Sequence, residues 1–260
     1  MKRQSILVLA ILVLTATGTA WADLSNGLIA YYPFSGNAND GSGYGNNGTE
    51  YGATLAIDRF GNPDSAYSFD GVDDYIDCGS GTSTLFNSWD SFTLAAWIKH
   101  AESSTFDSIV ARHDDRNGTF NYAIGVIDNK FVLIADQAYE DSRWLRSNTV
   151  LTDGLWYHVV GVYDNKNMTV YVNGREDGSD IFPVGGTGDS TASLYIGNTG
   201  YWSSYSDDRY FSGVIDGVRI YNRALTETEI AQLVPLPSAV ILGSIGLTFS
   251  GWLLRRRKML

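Results

Sequence analysis

The chain has 260 residues, 18 of them basic and 29 acidic, with a formal net charge of −11 and a single cysteine, Cys78. The acidic excess argues against nucleic acid and anionic lipid as partners of the surface as a whole. One cysteine excludes an intrachain disulfide, so a fold outside the cell has to be held by packing or by metal.

Met1–Ala22 opens with Lys2 and Arg3, continues through an apolar run from Ile6 to Leu14 and ends on Ala20-Trp21-Ala22. This is the pattern of a secretory signal peptide cleaved after Ala22. At the other end, residues 234–260 form a tail in which Leu236–Leu254 carries no charge over 19 positions. At about 1.5 Å per residue, that is roughly 28 Å of helix, close to the hydrocarbon thickness of a bilayer. Arg255, Arg256, Arg257 and Lys258 follow directly, which predicts a transmembrane segment over 236–254 with its basic end (255–258) in the cytoplasm. Six basic residues lie in these two ends and all 29 acidic ones lie between them. The segment 23–233 therefore holds 12 basic against 29 acidic residues, a net charge of −17.

Within that segment, Tyr31–Gly52 is rich in Gly, Asn and Asp, including Asn37, Asn39, Asp40, Asn46 and Asn47. Such a stretch supplies oxygen ligands for a hard cation, or forms an ordinary solvated loop. Short alternating runs follow: "SFTLAAWIKH" (Ser91–His100), "SIVARH" (Ser108–His113), "NYAIGVI" (Asn121–Ile127) and "KFVLIAD" (Lys130–Asp136). Asp128-Asn129 makes a two-residue turn between the last two. "LWYHVVGVYD" (Leu155–Asp164) and "NMTVYVNG" (Asn167–Gly174) form a second hairpin, and "REDGSD" (Arg175–Asp180) reads as a loop after it. "SLYIGN" (Ser193–Asn198) and "FSGVIDGVRIYN" (Phe211–Asn222) are further strands. The last carries Asp216 in an apolar setting, and a buried carboxylate needs a partner. One helix is expected, over "LTETEIAQL" (Leu225–Leu233), where Thr226 and Glu229 have capping-box spacing. Many short strands and one helix predict an all-β sandwich. Trp89, Trp97, Trp156 and Cys78 are expected in its core, and His158 in the core or on a strand face.

Five ordered blocks, "GLIAYYPFSGNANDGSGYGNNG", "YSFDGVDDYIDCG", "FTLAAWIK", "LWYHVVGVYDNKNMTVYVNG" and "FSGVIDGVRIYNRALTETEI", resemble the laminin-G-like, concanavalin A-like jelly-roll domains of bacterial surface proteins. The resemblance implies two antiparallel sheets with the first and last strands close together. It also implies one calcium ion held by Asp40 and Asp216, helped by the carbonyl near Gly43 and by Asn46. The other expectation is that Asp216 accepts hydrogen bonds from the loop with no metal. "VPLPS", an apolar span and "RRRK" resemble a PEP-CTERM sorting signal read by an exosortase, with Leu236 in place of the usual Glu. That implies export to the cell surface of a Gram-negative bacterium; a permanent membrane anchor is the simpler expectation.

The chain lacks the residue patterns of common catalysts. Its histidines are His100, His113 and His158, with no zinc spacing and no G-x-S-x-G elbow. The resemblance extends to jelly-roll glucanases with Glu-x-Asp-x-Glu along a strand, a run not found here. The expectation is a binding protein rather than a hydrolase or lyase. Tyr201, Trp202 and Tyr205 in "NTGYWSSYSDDRY", with Tyr139 and Trp144 in "QAYEDSRWLRS", are the candidate sugar-stacking rings. Otherwise they cover the rim of the sandwich. The expected partner is an extracellular polysaccharide, or a surface protein if the module serves adhesion.

Overall fold

The computed structural model describes residues 23–80, 90–101, 106–114, 119–135, 143–181, 193–200 and 209–234. The signal segment, residues 235–260 of the tail, and Trp89, Tyr139, Tyr201, Trp202 and Tyr205 lie outside them. Among the described residues no helix is long and apolar enough to cross a membrane.

The strands in chain order are β1 (Leu28–Tyr32), β2 (Thr49–Tyr51), β3 (Thr54–Ala56), β4 (Ala66–Asp70), β5 (Tyr75–Ser80), β6 (Ser91–His100), β7 (Asp107–Asp114) and β8 (Thr119–Ile127). They continue as β9 (Lys130–Ala135), β10 (Arg143–Arg146), β11 (Trp156–Asp164), β12 (Asn167–Val172), β13 (Arg175–Ile181), β14 (Ser193–Ile196) and β15 (Ser212–Tyr221), and α1 (Glu227–Leu233) ends the described chain. Sheet A runs β13-β12-β11-β6-β15-β4-β3, with β1 also paired to β15; sheet B runs β10-β9-β8-β7-β14-β5-β2. Every pairing is antiparallel. The two-sheet all-β architecture is the one expected, and the first and last strands are hydrogen-bonded neighbours.

Alternation decides which side chains enter the sandwich. Along β6, Phe92, Leu94, Ala96 and Ile98 join the core, while Thr93, Ala95, Trp97 and Lys99 point the other way. Phe92 meets Tyr122 of β8 at 5.2 Å and Tyr163 of β11 at 5.4 Å between ring centroids. Gly161 of β11 lets the sheets approach, because a Cβ there would come 2.7 Å from Leu133 Cδ1. Cys78 is buried in this core, and burial pushes its thiol up to about 12.

The outer face of sheet A divides in two. One half lies under α1, where Ala95, Val160, Val162, Tyr171 and Tyr221 pack with Leu225, Ile230 and Leu233. Thr226 caps the helix with both hydrogen bonds of a capping box, as its spacing with Glu229 predicts. The other half carries Trp97, Trp156 and Lys99, none of them in the core clusters. Both tryptophans are half-buried on this outer face rather than inside the sandwich, because their positions have the opposite parity to the core residues. The segment expected as a loop, Arg175–Asp180, is part of a strand, Arg175–Ile181, that pairs with β12, and Arg143–Arg146, which includes Trp144, pairs with β9.

Candidate functional site

The Gly-rich loop after β1 is organised around Asp40. Its Oδ1 accepts hydrogen bonds from the backbone N–H of Tyr31 (3.0 Å) and of Ser42 (2.8 Å). Its Oδ2 accepts from Ser42 Oγ (2.7 Å) and from the N–H of Asn46 (3.0 Å). Asn46 donates its side-chain amide to the carbonyl of Ile29 (3.0 Å), and its own carbonyl accepts from Tyr32 Oη (2.7 Å). Gly43 has φ +96°, the left-handed region where glycine is at ease. Asp40, Gly43 and Asn46 thus share one loop, and four donors already fill the carboxylate of Asp40.

Asp216 has other company. It is 3 % exposed and its Oδ2 is ion-paired with Arg59 Nη1 from the loop between β3 and β4. Burial raises its carboxyl to about 6, outweighing the pull of Arg59 in the other direction. Asp40 is bonded to Tyr31, whose register partner on β15 is Arg219. Asp216 lies three residues further along, roughly 10 Å at 3.3 Å per residue, with a bulge between. Asp40 is thus bonded within its own loop, with Gly43 and Asn46, while Asp216 is paired with Arg59. The partner of Asp216 is neither a loop N–H nor the Asp40 loop, but an arginine.

Arg59 is the residue that sequence reasoning missed. Its position follows from Asp58, whose Oδ1 accepts the N–H groups of Phe60 and Asn62, each at 2.8 Å, and whose Oδ2 accepts Asn62 Nδ2 at 2.8 Å. This Asp-led turn in "DRFGN" is the sequence signal for a fixed loop, though it names no target for the arginine. On the sheet beneath, His158, Trp97 and Asp216 lie in one row across β11, β6 and β15. The rings of Trp97 and His158 are 5.1 Å apart, and Arg59 Cζ stands 4.8 Å from the Trp97 ring and 4.4 Å from that of Phe60. His158 is 1 % exposed, and burial, reinforced by Arg219 and Arg59, lowers it to about 3. It is therefore neutral at physiological pH.

Of the five predicted stacking rings, Trp144 is the one described. It is 37 % exposed and meets Phe106 edge-on at 5.2 Å. A second aromatic group was not foreseen. Tyr51 and Tyr75 stack at 4.7 Å with Tyr51 46 % exposed, and Tyr195 meets Tyr75 at 5.9 Å. Gly200, at one described end of the aromatic segment 198–210, lies against the Tyr195 ring, and Tyr210, at the other, acts on Tyr75 electrostatically. Beside them Asp70, Asp73 and Asp74 gather their carboxylates within 4.8 Å. They hold their own turn: Asp70 Oδ1 accepts from Val72 N–H at 2.8 Å, and Asp74 Oδ2 accepts from Asp70 N–H at 2.9 Å.

Comparison with known proteins agrees with this architecture. Domain 4 of the extracellular arabinanase AbnA from Geobacillus stearothermophilus, solved with arabinotriose, superposes with a TM-score of 0.64 at 23 % identity, over 80 % of this chain and 98 % of that one. The binding domain of Paraclostridial Mosquitocidal Protein 1 gives 0.62 at 17 % identity, over 82 % of this chain and 52 % of its own. The receptor-binding domain of botulinum neurotoxin C/D mosaic serotype gives 0.62 at 14 %, over 81 % and 51 %. The chain thus spans about half the length of each toxin domain. The profile of the Laminin_G_3 family, described as the concanavalin A-like lectin/glucanases superfamily, matches residues 70–231, and with more than half its length so covered the chain belongs to that family.

Proposed function

We propose that this protein is an exported, surface-sorted module that binds extracellular glycan and carries out no catalysis. The observation that carries the reading is the exposed Tyr51–Tyr75 stack beside the described ends of the aromatic segment 198–210. Flat, partly exposed rings present an apolar face to a sugar while their hydroxyls stay in water. The arabinotriose complex of the arabinanase domain supports the same use of the fold elsewhere. In this reading Tyr201, Trp202 and Tyr205 also stack on the sugar. Trp144 is a separate contact, since β10 and β2 are opposite edges of sheet B. The signal segment and the exosortase-read tail deliver the domain to the outside of the membrane.

A glycan array with the full chain tests this, alongside Trp202→Ala and Tyr51→Ala. Binding of neutral oligosaccharides that falls at least about tenfold in either variant is expected. Binding that ignores both moves the site elsewhere, and silence across the array leaves adhesion to a protein as the function. Calcium is a separate proposal. An ion at the junction of the two chain ends requires Asp216 to leave Arg59, and a calcium-dependent rise in Tm that Asp216→Ala abolishes supports it. No shift in the wild type removes it.

A further inference from the structure

We propose that the uncovered half of the outer face of sheet A, centred on Arg59 and Trp97, is a second sugar site, specific for an acidic sugar bearing a carboxylate. This deepens the glycan reading above, on which it rests, and assigns it a ligand class and a different surface.

Three polar atoms on this face are buried without a hydrogen-bond partner: Arg59 Nε, Trp97 Nε1 and His158 Nδ1. They belong to one group, since the Trp97 ring is 5.1 Å from that of His158 and 4.8 Å from Arg59 Cζ. Two are N–H donors, and a donor buried without an acceptor costs free energy until one is supplied. The orientation of Arg59 is informative. Its Nη1 is held by Asp216, which leaves the edge formed by Nε and Nη2. That edge offers two parallel N–H groups at the spacing of carboxylate oxygens. An anchored guanidinium with its second fork unused is organised in advance for an anionic oxygen pair.

The surroundings match a charged sugar. Arg219 stands 4.1 Å from the Tyr31 ring and Lys99 5.5 Å from the Trp156 ring, so two further cations lie on aromatic surfaces. Of the two carboxylates at the centre, Asp216 is spent on Arg59 and Asp58 on its own turn. A domain of net charge −17 thus places three of its 12 basic side chains together on one face. Phe60, 61 % exposed on the same loop as Arg59, covers the guanidinium and offers a ring for stacking.

Isothermal titration of the full chain with trigalacturonate and with arabinotriose, at low salt, tests the proposal. The acid is expected to bind more tightly than it does to two variants. Arg59→Lys keeps a cation for Asp216 but removes the fork, with an expected loss of about tenfold. Trp97→Phe keeps the ring and removes the N–H, with an expected loss of a few-fold. Each Tm is measured, and should Arg59→Lys fail to fold, Trp97→Phe decides alone. Trigalacturonate that does not bind, or binds both variants as it binds wild type, overturns the site, the nitrogens then being served by water only. Arabinotriose binding lost in Tyr51→Ala but retained in Arg59→Lys keeps the glycan reading independent of this result.

Discussion

Asp216 and Glu229 are both largely buried and both paired with arginine, yet their folded carboxyls move in opposite directions. Burial raises Asp216 to about 6. Glu229 falls to about 2 because Arg223 donates to both its oxygens, at 3.0 and 2.7 Å, and Thr226 adds two hydrogen bonds. The raised group keeps its proton longer in the folded state, so its contribution is present below about pH 4 and is lost as pH rises through about 6. At about 1.4 kcal/mol per unit, the loss is roughly 3 kcal/mol. Chemical denaturation of wild type and Asp216→Asn at about pH 4 and pH 7 is expected to show the variant gaining relative stability by that order at the higher pH. Glu229 has the opposite sign: its contribution is present above about pH 4.5 and fades as pH falls toward 2, so Glu229→Gln flattens the acid limb of the stability curve. Arg59→Met leaves Asp216 buried without a counter-charge and is expected to cost about 3 kcal/mol at neutral pH. The carboxylate in the apolar strand was legible in the sequence, as was its need for a partner. The partner was not, because Arg59 and Asp216 are 157 positions apart and no local pattern aims one at the other.

At the scale of elements, the hairpins follow their turn chemistry. Asp128-Asn129, Asn165-Lys166 and Asn173-Gly174 all have positive φ at both residues, matching the right-handed twist of the strands they join. Lys166 at φ +83° is the ill-suited member, and Lys166→Gly is expected to stabilise the protein by about 0.5–1 kcal/mol, read as a shift in the denaturation midpoint. The capping box gives a second measurement: Thr226→Ala should cost about 1 kcal/mol. Strands such as β6, β8, β9 and β11 were readable as short apolar runs bounded by polar turns, most of their residues being buried on both faces. β13 was not, because as an edge strand it buries none of its side chains fully and carries no apolar period to read. Trp97 was placed in the core because a tryptophan in an apolar strand usually packs inward. Parity alone puts it outside, facing His158 and Asp216.

For the whole molecule, the neighbourhood of first and last strands came from likeness to a family and not from any periodicity, since register across nearly 190 positions leaves no local trace. The structure adds that β15 is not an edge. It lies between β6 and β4, and carries β1 as well. The last of the described strands is therefore a central one, and until residue 221 is available β6, β4 and β1 have no common partner. A chain truncated before Ser212 is expected to stay as sensitive to protease as unfolded protein, where the full chain resists. Non-local pairing of this kind also makes closure slow. A polypeptide that must be threaded through a narrow pore has to remain a thread until its end arrives. On the export proposed above, the order of the strands itself supplies the delay.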